Sequence, residues 1–80
     1  MFIRGEVLIE TITLAFTVSG QRGDWCVTVT AADGIKTEDQ TCEREWFPLF
    51  SEMLALAFKN ASKRRFPQHS RYAVRDGAKQ

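Results

Sequence analysis

Apolar and polar residues alternate along the first half of the chain, then change period. Over 6–18, "EVLIETITLAFTV", Ile12, Leu14, Phe16 and Val18 alternate with Thr11, Thr13, Ala15 and Thr17. That is the period of a strand with one buried face. Val7 and Ile9 stand in the opposite phase, so one residue slips near Glu10. A β-bulge produces such a slip. A straight strand over 6–18 would run about 44 Å, too long for so small a domain. The pattern therefore predicts a bulge or bend at Glu10. "SGQRGD", 19–24, reads as a hairpin loop, and "WCVTVTA", 25–31, alternates again, with Trp25, Val27 and Val29 on one face. Asp33-Gly34 is a tight-turn signal, because Gly34 can adopt positive φ. "IKTEDQTC", 35–42, is polar apart from Ile35 and Cys42, as suits an edge strand whose charges discourage pairing with other sheets.

Beyond Trp46 the period becomes helical. Pro48 is best tolerated in the first turn of a helix, which predicts a helix over 48–65 after a loose turn at "EREW". Phe50, Met53, Leu54, Ala57 and Ala61 fall on one side, with Leu49 and Leu56 widening the stripe. Phe66-Pro67 stops the helix. "RYAVR", 71–75, is a candidate short fourth strand. The expected architecture is α+β: a three-stranded antiparallel sheet, with that possible addition, packed on one amphipathic helix. Residues 1–67 form a single β-β-β-α domain and 68–80 a basic C-terminal tail.

Eighty residues allow one domain. Burying only roughly 60% of the unfolded surface leaves a small core, so help from a partner or second copy is expected. The composition, 44% hydrophobic and 26% charged, is that of a folded globular domain rather than a disordered one. No apolar run approaches the ~20 residues that span a bilayer, and "MFIRGEVLIE" lacks the layout of a signal peptide. The expectation is a cytoplasmic protein with no membrane partner, in which Cys26 and Cys42 are reduced thiols. Two cysteines without C-x-x-C and the single His69 fall short of a zinc site, so neither metal nor cofactor is expected.

Net charge is +1, but it is unevenly divided. Residues 1–58 carry four basic and nine acidic side chains, net −5; residues 59–80 carry seven basic and one acidic, net +6. This asymmetry supplies the two candidate sites. The acidic stretch with Glu38, Asp39, Glu43 and Glu45, followed by Trp46 and Phe47, has the make-up of a protein-docking surface, with aromatic anchors beside a charged rim. The basic stretch with Lys63, Arg64, Arg65, Arg71 and Arg75, with Tyr72 available for stacking, has the make-up of a nucleic-acid contact. A sequence pI near 7.8 weighs against dedicated nucleic-acid binding. His69 and Ser70 are adjacent without a third partner, and no P-loop or nucleophile elbow is present, so the chain is read as no enzyme.

The order of elements, carried by "ITLAFTV", "WCVTVTA" and "FPLFSEMLALAF", resembles small phage and mobile-element proteins that act by binding, among them some anti-CRISPR proteins. The likeness rests on size and element order, and no functional residue carries over. It implies an inhibitor that docks on a protein or ribonucleoprotein complex. Double-stranded-RNA-binding domains also place three strands before a helix, but their basic cluster opens that helix, whereas "KRR" at 63–65 closes this one. Direct nucleic-acid binding through 63–75 is the alternative function. A structural homodimer, by edge pairing or the helix face, is a third.

Overall fold

The structure, a computed structural model, describes residues 1–65. Four strands precede one helix: β1 (Phe2–Ile9), β2 (Ile12–Gln21), β3 (Asp24–Ala31), β4 (Lys36–Thr41) and α1 (Phe47–Arg65). The strands form an antiparallel meander in the order β1-β2-β3-β4. The α+β reading, an antiparallel sheet with one helix, is the observed fold. The proposed 71–75 strand lies outside the described residues, and the fourth strand stands at the front of the chain.

That strand corrects the bulge. Ile9 pairs with Ile12 across a two-residue turn at Glu10-Thr11, so the stretch is a hairpin. Glu10 has φ 58°, an uncommon conformation outside glycine that the tight reversal requires. The turn also accounts for the slip in phase. Directly paired residues share a face, and the register sets Ile3, Val7 and Ile9 opposite Val18, Leu14 and Ile12. Odd positions before the turn thus share a face with even positions after it. A bulge and a two-residue hairpin leave the same local mark.

The β2–β3 turn narrows to Arg22-Gly23, with Gln21 paired to Asp24. Gly20 has φ 122°, and a Cβ there would lie 2.1 Å from the Asp24 carbonyl oxygen, so this position admits only glycine. At the β3–β4 turn, the Gly34 N–H donates to the Ala31 carbonyl (2.9 Å) and the Ile35 N–H to Asp33 Oδ1 (3.1 Å). The Asp-Gly signal therefore marks a real turn.

One face of the sheet carries the core. Leu14, Val18, Val27 and Val29 are fully buried, each contributing about 1.5–3 kcal/mol of transfer free energy. Leu49, Met53, Ala57 and Ala61, spaced by four, press against them from α1. The buried stripe is narrower than the expected one: Phe50 and Leu54 are half-buried and Leu56 is exposed. Pro48 is the second helical residue, where an N–H would have no intrahelical acceptor. Trp25, buried, donates its indole N–H to the Arg44 carbonyl (3.2 Å) and fixes the connection into the helix. The helix packs on β2, β3 and β4, and the inward row of β1 (Ile3, Val7, Ile9) stays half-buried.

Candidate functional site

β4 ends at Thr41, whose hydroxyl accepts the Glu43 N–H (3.1 Å) and turns the chain toward the helix. Together with the Trp25 anchor on Arg44, this sets 43–45 beside the first turns of α1. There, Thr41, Glu43, Arg44, Glu45, Pro48, Leu49 and Glu52 line a shallow cleft of about 420 Å³. Glu43, Glu45 and Glu52 are all exposed, and the positive end of the helix dipole faces this cluster of carboxylates. Phe47, 59% exposed, stands at the helix start. Trp46, half-buried, packs edge-on against Phe47 (5.8 Å between centroids) and Phe50 (5.9 Å). Phe50 meets Phe16 of β2 at 4.9 Å, so an aromatic row links the helix start to the sheet.

Four of the six sequence-derived docking residues adjoin the helix start: Glu43 and Glu45 line the cleft, while Trp46 and Phe47 belong to the aromatic row. The other two do not. The β4 residues alternate across the sheet, so Glu38 shares the open face with Thr28, whose hydroxyl donates to Glu38 Oε1 (3.3 Å). Asp39 lies on the opposite, helix-side face, and Asp39 Oδ1 accepts the Gln40 N–H (2.8 Å). A contiguous acidic run is split by the strand period into two surfaces. Glu52 is the residue the sequence reading missed. Its spacing of four from Pro48 was the available signal, since i and i+4 share a helix face.

The basic cluster looks different in three dimensions. Lys63, Arg64 and Arg65 form the last turn of α1, favourably placed for the helix dipole. Arg64 grips Asp33 at the β3–β4 turn, with Nε 2.6 Å from Oδ2 and Nη2 3.2 Å from Oδ1. This hydrogen bond, then the Ile35 N–H, holds the Asp33 carboxyl below the usual carboxylate range. Arg65 donates to the Thr11 carbonyl in the β1–β2 turn. Two candidate nucleic-acid contacts thus bind the chain's own turns, although Lys63, Arg64 and Arg65 are all exposed. Arg71, Tyr72 and Arg75 lie outside the described residues, as do His69 and Ser70.

Both cysteines are thiols: Cys26 on β3 pairs in register with Gln40, not with Cys42. Among the described residues no cluster of His, Cys, Asp or Glu is arranged to hold a metal ion, and no helix is long and apolar enough to cross a membrane. No protein-family model, curated protein or solved structure matches this chain.

Proposed function

We propose that this protein is a non-enzymatic binding module, an inhibitor of the anti-CRISPR kind, that docks on a basic surface of a protein or ribonucleoprotein complex. The observation that carries this reading is a cleft walled by Glu43, Glu45 and Glu52, with a largely exposed aromatic, Phe47, at the start of the same helix. Carboxylates steer a cationic partner and set its orientation, while Phe47 and Trp46 provide desolvated contact area. The basic end of α1 supports the fold through Asp33 and Thr11, which favours this reading over nucleic-acid contact through 63–75.

The test is binding of a Lys/Arg-rich peptide, followed by Trp fluorescence across a salt series, together with capture of the partner from host lysate. E43K/E45K/E52K is expected to lose at least tenfold in affinity and to flatten the salt dependence. F47A is expected to lose about 1–2 kcal/mol with the salt slope unchanged. Peptide binding and partner capture that survive both changes reject this surface. Tight, salt-sensitive binding of an oligonucleotide, abolished at Lys63, would favour the nucleic-acid alternative.

A further inference from the structure

β1 is an edge strand with apolar residues on both faces. Phe2 and Leu8 are 64% and 68% exposed on the open face, and Ile3, Val7 and Ile9 are half-buried on the helix side. Met1 and Gly20 set the parity of its ladder. The N-terminal amine donates to the Gly20 carbonyl (2.8 Å), and the Gly20 N–H donates to the Met1 carbonyl (3.1 Å). In an antiparallel ladder such exchange recurs at every second residue. Ile3, Gly5, Val7 and Ile9 therefore bond to β2, and Phe2, Arg4, Glu6 and Leu8 direct their backbone N–H and C=O groups out of the sheet.

We propose that this edge pairs antiparallel with β1 of a second copy, about a twofold axis at Gly5, to make one continuous sheet. The register follows from charge. Arg4 and Glu6 are exposed, and across β2 they face only Thr17 and Ala15. An axis at Arg4 would set two arginines face to face, and an axis at Glu6 two glutamates. The axis at Gly5 sets Arg4 opposite the second copy's Glu6, twice by symmetry, and Phe2 opposite its Leu8. It also pairs every outward-facing residue from Phe2 to Leu8. On the helix side Ile3 meets Val7. Gly5 meets its own copy at a non-hydrogen-bonded position, where strands approach most closely and a missing side chain relieves crowding. The Phe16 ring already lies over Gly5, 3.0 Å from where a Cβ would stand, and adds apolar surface beside the axis.

The experiment is sedimentation equilibrium of the full chain over a wide concentration range, with R4E, E6R and the double variant R4E/E6R. The expected result is a dimer that each single reversal weakens roughly tenfold or more, because both symmetric pairs become like-charged. R4E/E6R restores it, and so does an equimolar mixture of R4E with E6R, which re-forms both opposite pairs as a heterodimer. Circular dichroism checks that each variant folds. Hydrogen exchange on the unmodified protein supplies an independent reading: the Arg4 and Glu6 amides become protected as concentration rises, and the Lys36 and Glu38 amides do not. A monomer at every concentration overturns the proposal. So does a dimer indifferent to both single reversals, or concentration-dependent protection confined to β4.

Discussion

At one edge of the sheet β4 presents Lys36, Glu38 and Gln40 on the open face, with Asp39 exposed on the other. At the opposite edge β1 presents Phe2, Arg4, Glu6 and Leu8, backed by Ile3, Val7 and Ile9. Both strands leave alternate backbone groups without a partner in the sheet, yet their side chains treat that vacancy in opposite ways. Each added strand at β4 would have to accommodate charges, the usual protection of a free edge. At β1 the charges are one of each sign and spaced to satisfy a copy of themselves. The helix sharpens the contrast, since it packs on β4 as well as on β2 and β3, whereas the half-buried inner row of β1 rests on the side chains of β2. A half-buried apolar row and an edge without a guard coincide on the same strand.

The largest expected effect tests whether the two edges share one core. Leu14, fully buried on β2 opposite Val7 of β1, belongs to the one buried cluster, and Leu14→Ala is expected to cost about 2–5 kcal/mol in urea unfolding. Val7→Ala on the half-buried β1 row is expected to cost clearly less, and equal losses would erase the distinction between fully buried and half-buried rows. Next comes Gly5→Val, which pushes a side chain against the Phe16 ring; it is expected to cost about 1–3 kcal/mol and to disturb β1 while β3 and β4 amides keep their exchange protection. Removing the guard at the other edge is the converse test. Lys36→Val with Glu38→Val is expected to leave the melting temperature within a few degrees of the parent while promoting self-association by light scattering. If it stays as soluble and monodisperse as the parent, charge is not what protects β4.

The smallest effect concerns acid. The Asp33 carboxyl titrates below its usual range because Arg64 and the Ile35 N–H favour its charged form. A carboxylate depressed on folding stabilises the fold above its unfolded pKa and loses that contribution as pH falls through the folded value. Asp33→Asn is therefore expected to be slightly less stable than the parent at pH 7. The gap should close on acidification, and because the pair is partly exposed it should shrink in high salt. A gap that widens toward low pH would reverse the assignment.

Much of the fold was legible because it is written in short-range pattern. Leu14, Phe16 and Val18, like Trp25, Val27 and Val29, announce a buried face through alternation alone. Asp33-Gly34 and Pro48 mark a turn and a helix start through backbone constraints that belong to the residues themselves. The site was only half legible. Glu43 and Glu45 stayed together at the cleft because they adjoin the helix start in sequence, whereas Trp46 and Phe47 joined the aromatic row, Glu38 and Asp39 were divided by the strand, and Glu52 was brought in by the helix.

Alternation and turn chemistry thus determined that this chain makes an antiparallel sheet with one helix packed across it, and that its two halves carry opposite charge. Tertiary structure alone decided that the slip at Glu10 is a reversal of direction, that Arg64 closes on Asp33, and that β1 is the edge opposite the polar strand. Local periodicity reports which way a side chain points. It holds no information about which distant segment lies beside it, because that is settled by pairing and packing across the whole sheet.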